Sequence, residues 1–283
     1  MELPYDNSCL LLRPVFIVTG LTRKLTGKTV EEEAKTETRT IIGSDLQRPR
    51  FLHPAWRRRV GLAGLMLGLL SVMVVATPAA PPSQIPLVID GKMSDNGVPI
   101  GWELKALHNH HQIMLEPLQD GRFGIRLVSE ENSFGLYRTV DVDLKEFPIL
   151  SWKWKVNRLP PEGDIREKSK DDQAAQVYVV FPTSLLQMRS PMIGYLWDSN
   201  APAGTIADGH SVMNPIKIIV LQSGSKHLGE WVQERRNVAE DYQRLFEKDS
   251  LPKVGRVAIW INTQHTKSSA EATFADLQFV RAK

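Results

Sequence analysis

Three short stretches carry side chains able to bind a ligand or move protons. They are Lys168 to Gln173 with the adjacent carboxylates Asp171 and Asp172, Trp197 to Asn200 at the end of an aromatic run, and Asn262 to Lys267 with His265. If Asp171, Asp172, Trp197, Asn262 and His265 meet in one cleft, the indole supplies a stacking face and the other four supply hydrogen bonds. An apolar ring face beside a few convergent polar groups is the chemistry of a carbohydrate or small-ligand site. The plain alternative is that the two aspartates pair with nearby lysines while Asn262 and His265 tie down a turn. A second constellation, Glu234-Arg235-Arg236-Asn237 with Asp241 one turn later, stands at the start of a helical pattern. Glu234, Arg235, Asn237 and Asp241 read there either as an anion site on free amide groups or as a salt-bridged clamp between helix and sheet.

Other chemistries find less to work with. His108 and His110 would share one face of a strand, with His111, Glu103 and Glu116 close in sequence. An H-x-H pair alone lacks the further ligands at definite spacing that a zinc site needs, so neither metal nor cofactor is assigned. There is no G-x-S-x-G elbow, and Ser223 has neither the flanking glycine nor the helix that would expose a nucleophile. Carboxylate pairs for glycoside cleavage can be drawn from Asp171, Asp172, Glu234 and Asp241, but acids this common in loops select no pair, so no catalytic residue is assigned.

The elements that must position these groups are mostly strands. Phe123, Ile125 and Leu127 alternate with Gly124 and Arg126 after the Asp120-Gly121 turn, and Trp152, Trp154 and Val156 alternate with Lys153 and Lys155. Gln176 to Phe181 and Ile216 to Leu221 are nearly continuous apolar runs, as in central strands covered on both faces. Val257, Ile259 and Ile261 follow the same period, and Leu277 with Phe279 closes the chain. One helix is expected from Asn237, whose side chain with Glu240 has capping-box spacing, through the stripe Val238, Tyr242, Leu245 and Phe246. Many short strands and one helix predict an all-β, jelly-roll-like sandwich over residues 87–281.

Charge and targeting bound the function further. The formal charge is +3, but 11 of the 35 Lys/Arg and seven of the 32 Asp/Glu precede Ser83, leaving 24 basic against 25 acidic residues for the folded part. That balance argues against nucleic acid, which needs a concentrated basic excess. Cys9 is the only cysteine, so a disulfide framework and a thiol nucleophile are excluded from the domain. Arg57, Arg58 and Arg59 precede the uncharged run VGLAGLMLGLLSVMVVA at 60–76, and small residues offer cleavage after Ala76 or Ala79. Residues 57–79 therefore read as an export signal, or as a membrane anchor if uncleaved. Residues 1–56 read as a disordered leader or a start assigned too far upstream, and the proline-rich 80–86 as a linker. The protein is thus expected to be periplasmic or extracellular, with membrane contact only through 60–76.

Five ordered blocks carry a resemblance: LSWKWKVNRLP (150–160), DDQAAQVYVVFP (171–182), IKIIVLQSG (216–224), GEWVQERRNVAEDYQRLF (229–246) and VAIWINTQHTKSSAEATFADLQF (257–279). Together they resemble the bacterial family catalogued as domain of unknown function 3047, over roughly 85 to 281. The resemblance implies an exported, β-rich single domain with no established activity, and brings no catalytic residues. The expected function is binding of a carbohydrate or small envelope ligand. A glycoside-active or cell-wall enzyme and a structural envelope protein are the two alternatives.

Overall fold

Trp152, Trp154 and Val156 lie on the same side of their strand because successive strand residues face opposite ways, and all three are fully buried. The computed structural model describes residues 82–87, 89–108, 110–183, 189–211 and 214–282. The leader 1–56, the signal 57–79 and Cys9 lie outside the described residues. In chain order the elements are β1 (Gln84–Pro86), β2 (Glu103–Ala106), β3 (Gln112–Pro117), β4 (Phe123–Glu130), β5 (Ser133–Asp143), β6 (Ile149–Arg158) and β7 (Ala175–Val180). There follow β8 (Met192–Asp198), β9 (Ile206–Asp208), β10 (Ile216–Ser223), β11 (Val232–Asn237), α1 (Val238–Phe246), β12 (Lys253–Asn262) and β13 (Ser269–Val280).

The strands form a two-sheet sandwich of the expected kind. A six-stranded sheet runs β11-β6-β13-β4-β3, with β1 paired to the far end of β13, and a seven-stranded sheet runs β2-β5-β12-β7-β8-β10-β9. The main core lies between them, where Trp152, Trp154 and Phe274 of one sheet meet Val177, Tyr195, Trp197 and Ile259 of the other. A second apolar cluster covers the opposite face of the seven-stranded sheet, built from Tyr178, Leu196, Ile218, Val220 and Trp260 under Ile165 of the long loop after β6. Central strands buried on both faces are why β7 reads as a continuous apolar run.

Two features depart from the sequence reading. The linker at 80–86 ends early, because Gln84, Ile85 and Pro86 pair antiparallel with Val280, Phe279 and Gln278, so the domain begins at β1 and not at residue 87. A three-residue strand beside a proline cluster carries no periodic signal, and only its partner makes it one. The other departure is the parallel pairing of β8 with β10, which forces the intervening chain to cross over the sheet face where a hairpin would have turned back. Among the described residues no helix is long and apolar enough to cross a membrane.

The helix forms where its cap spacing puts it. Asn237 is extended and its Oδ1 accepts a hydrogen bond from the Glu240 amide at 3.2 Å. Tyr242 packs edge-on against Phe181 with ring centres 4.7 Å apart, so the apolar stripe closes the edge of the core. Glu247 ends the helix in a left-handed conformation, five residues before Pro252. Replacing Asn237 by Ala is expected to cost about 1 kcal/mol, and for a domain of this size to lower the thermal midpoint by about 2–4 °C, measurable by calorimetry.

Candidate functional site

The loop between β6 and β7 carries Asp171 and Asp172 across one end of the seven-stranded sheet. Its entry is a close backbone crossing, since a Cβ at Gly163 would stand 2.1 Å from the carbonyl oxygen of Asp172. The turn between β12 and β13 reaches the same end. A small cleft opens there, on the face of the sheet away from the main core, with Tyr178, Ile218 and Trp260 among its walls and Asp171, His210, Asn262, Gln264 and His265 around it. Its volume is about 50 Å³. At roughly 10–15 Å³ of such volume per water, the cleft as it stands holds a few waters and no sugar ring.

Most of the polar groups in this region are engaged with each other. The amide of Asn262 accepts from the Gln173 backbone N–H at 2.8 Å and from Gln176 Nε2, and donates to the carbonyl oxygen of Asp171. Asp172 is fully buried. Its Oδ2 accepts from the Thr266 amide at 2.6 Å and the Thr266 hydroxyl at 2.7 Å, and its Oδ1 from the His265 amide at 3.2 Å. Asp198, equally buried, accepts from the amides of Ile165, Asn200 and Ala201 and from Gln173 Nε2. These two carboxylates stitch three loops together. Asp171 is freer, with Oδ2 3.1 Å from His210 Nδ1.

Charge follows this wiring. Burial alone would push Asp172 up, but the hydrogen bonds from His265 and Thr266 outweigh it and hold the carboxyl below its ordinary range. The imidazole Nδ1 of His265 lies 3.5 Å from Asp172 Oδ1, and this pairing raises His265 against the opposing effect of burial. Burial wins at Asp198 and raises it despite its amide donors.

The five residues expected to share a cleft therefore divide. Asp171, Asn262 and His265 line it, and Asp172 anchors the adjacent turn through His265 and Thr266, where the plain reading paired both aspartates with lysines. Trp197 does not join them. It lies on the inward-facing side of β8, is 1% exposed, packs against Trp154 with ring centres 6.0 Å apart, and donates its N–H to the Gly224 carbonyl at 3.0 Å. The polar residues after Trp197 suggested a loop, whereas Met192–Asp198 is a strand buried along its whole length. His210 was not selected from the sequence, because only the β8–β10 crossover carries it over the sheet to Asp171.

The second constellation resolves as a clamp, with one substitution of role. Arg236 donates to both oxygens of Asp241, at 3.0 and 2.6 Å, and the Tyr195 hydroxyl adds a bond at 2.9 Å across from the other sheet. Strand alternation puts Glu234 and Arg236 on one face of β11, and Arg235 on the other, exposed. The clamping guanidinium is thus Arg236, where Arg235 was expected. Glu234 accepts from Gln222 Nε2 at 2.8 Å, and burial raises its carboxyl. The histidines His108 and His110 stack ring on ring at 5.5 Å in the connection between β2 and β3, and among the described residues no group of three or more His, Cys, Asp or Glu could hold a metal.

A roomier hollow lies on the outer face of the six-stranded sheet, with a volume of about 420 Å³. Trp231, just before β11, is 38% exposed and forms part of its wall. Around it stand Glu116 from β3, Asp120 and Arg122 from the β3–β4 turn, Lys153 from β6 and Asp276 from β13. Lys155 Nζ lies 5.0 Å from the Trp231 ring centre and 2.7 Å from Glu116 Oε1. Burial works to raise Glu116, but Lys155 and Thr273 outweigh it and keep the group ionised below its usual range. Trp231 is one of several tryptophans in the folded part that could stack on a ligand, and nothing local sets it apart, since one exposed indole before a strand has no periodic signature.

The chain belongs to the family described as Protein of unknown function (DUF3047), whose family model matches residues 101–278. Comparison with curated protein sequences returned no match. Among solved structures the chain is similar to a family 11 carbohydrate-binding module of a cellulosomal cellulase of Clostridium thermocellum, at 9% identity and a TM-score of 0.39, covering 72% of this chain and 97% of that one. It is also similar to a native family 12 xyloglucanase from Bacillus licheniformis, at 7% identity and a TM-score of 0.37, covering 70% and 100%. A cleaved adhesin domain of Lys-gingipain from Porphyromonas gingivalis matches at 10% identity and a TM-score of 0.35, covering 71% and 100%.

Two outcomes follow for the cleft end of the sandwich. Asp172→Ala leaves the His265 and Thr266 amides without their acceptor and should cost about 1–3 kcal/mol in denaturant unfolding. Asp172 is lowered on folding, so its contribution is complete above the ordinary carboxylate value of 3.8 and is lost as pH falls through the lowered one. His265 is raised, so its contribution is complete below 6.5 and is lost as pH rises through the raised value. The stability gap between the wild type and a His265→Ala variant should therefore be widest between about pH 4 and 6.5 and close on both sides. A gap that keeps widening above neutral pH contradicts the pairing.

Proposed function

We propose that the domain binds carbohydrate on the outer face of its six-stranded sheet, in the hollow beside Trp231. The observation that carries this is an exposed indole in the wall of a hollow that the charged side chains of Glu116, Asp120, Arg122, Lys153 and Asp276 also line. The C–H face of a sugar ring matches an indole face, and its hydroxyls match carboxylates and guanidinium or ammonium groups that can accept and donate at the same time. The volume supports it as well, since ligand hollows run to roughly 300–1,000 Å³ and this one falls within that range. The cleft at Asp171 and His265 fits the reading less well, being far smaller and wired into its own loops.

The stacking role that the sequence suggested for Trp197 passes in this reading to Trp231. The platform is preorganised, because Glu116 is held by both Lys155 and the Thr273 hydroxyl, the latter at 2.8 Å. Fixed donors and acceptors lose little freedom when a ligand arrives. Export fits the same picture: Arg57 to Arg59 and the run at 60–76 would carry the domain to the compartment where polysaccharide is found, and N-terminal sequencing of exported protein should find a start between Thr77 and Ala80.

A glycan-array screen of the full chain tests the binding reading. On whichever sugars bind, Trp231→Ala should weaken affinity about tenfold or more, equivalent to about 1.4 kcal/mol, with an unchanged thermal midpoint. Trp197→Ala should instead cost about 3–5 kcal/mol of stability as a core truncation. Undiminished sugar binding by a folded Trp231→Ala protein would overturn the assignment of the hollow.

A further inference from the structure

We propose that the hollow at Trp231 is one half of a continuous trench that binds a linear, uncharged oligosaccharide, with Asp276 at its centre. This rests on the reading of Trp231 as a sugar platform and extends it to the form of the ligand. A second hollow of about 240 Å³ adjoins the first, and Arg122 and Asp276 line both. Its far wall is apolar, made of Pro86, Leu87, Ile89 and Phe123. From the Trp231 end the trench passes β6 and β13 and reaches β1, three strand spacings or roughly 14 Å, room for about three linked pyranose rings.

Asp276 is where the backbone departs from the sheet. Pairing between β13 and β6 slips between Ala275 and Gln278, and Asp276 sits within that irregularity at φ +56°. A left-handed conformation is unfavourable for a residue other than glycine, and such positions gather at functional sites. A bulge breaks the two-residue alternation and re-aims a side chain. Here it sets a carboxylate at the junction of the two hollows. Arg122 pairs with one oxygen, and Lys153 lies 3.0 Å from the other. Arg122 also pairs with Asp120, so the centre of the trench is a fixed row of acceptors and donors.

The charges lining the trench define the ligand. Glu116, Asp120 and Asp276 face Arg122 and Lys153, with Lys155 paired to Glu116, so three carboxylates meet three cations in ion pairs and the charges balance. No surplus of positive charge is left to draw in a uronate or sulfated chain, whereas the hydroxyls of a neutral chain can hydrogen-bond to the edges of the pairs. Apolar surface at both ends and polar surface between them suit a chain that lays ring faces on Trp231 and Phe123 and turns hydroxyls to Asp276.

Calorimetric titration of the full chain with oligomer series of glucose, mannose and N-acetylglucosamine, each from one to six rings, tests the extension. In at least one series affinity should rise about tenfold or more from monomer to trimer and then level off. Ile89→Arg, which fills the second hollow, and Gln84→Trp, an exposed change at its rim, should each cut the trimer's advantage over the monomer, while Trp231→Ala weakens monomer and trimer alike. Thermal midpoints confirm that the variants fold. Equal affinity for one ring and six overturns the trench and leaves the Trp231 reading standing. Loss of length dependence in Trp231→Ala alone, with Ile89→Arg and Gln84→Trp behaving as wild type, also overturns it. Binding restricted to uronate or sulfated chains on the glycan array overturns the neutral-chain assignment, and no binding by any series or on the array overturns both readings.

Discussion

Trp152 and Trp154 packed against Tyr195 and Trp197 form the interaction on which the other features depend. The four rings lie in the space between the sheets, with Trp152 and Trp154 centred 5.4 Å apart and Trp152 5.4 Å from Tyr195. Aromatic side chains bury the largest areas of any residues, so their placement fixes which face of each strand is inward. Once Trp152 and Trp154 point inward, Lys153 and Lys155 must point outward. The outer face of the six-stranded sheet is then polar by necessity, and its lysines find their partners in Glu116 and Asp276.

The two ends of the cross-section solve different problems. At the Asp172 end three loops meet over a sheet whose outer face is apolar, and their backbone amides must be satisfied away from water. Buried carboxylates at Asp172 and Asp198 do this, each collecting several amide donors. A carboxylate used in that way is a structural tie, and its side chain has little capacity left for a ligand. On the outer face of the six-stranded sheet the charges remain partly hydrated, and an indole stays exposed. Asp172 and Asp198, by contrast, serve closure of the loops.

The clamp at Asp241 shows how a helix is bound into this scheme. Asp241 sits in the first turn, where a negative charge also favours the helix dipole, and it is 3% exposed. Arg236 from one sheet and Tyr195 from the other converge on it, and burial with Asp241 nearby drives the Tyr195 hydroxyl well above its ordinary range. That tyrosine stays a hydrogen-bond donor and a fixed link between the layers.

What the sequence determined by itself was local. Period-two alternation identified β4, β6 and β12, continuous apolar runs marked β7 and β10, and the Asn237–Glu240 spacing placed the helix start. Each of these signals is written within a few residues, because side-chain direction and capping depend only on the neighbouring backbone. The meeting of the 168–173 loop with the 262–267 turn was also legible, since antiparallel strands bring such loops to one end. Tertiary structure alone decided the rest. Trp197 and Trp231 are each followed or flanked by polar residues, and nothing local says that one faces the opposite sheet and the other faces water. His210 reaches Asp171 only through a parallel crossover, β1 exists only because β13 offers it an edge, and Asp276 stands at the junction of two hollows only because β13 bulges between partners far away in sequence. Burial is a property of what lies across from a residue, and for these side chains the facing partner is supplied by another strand.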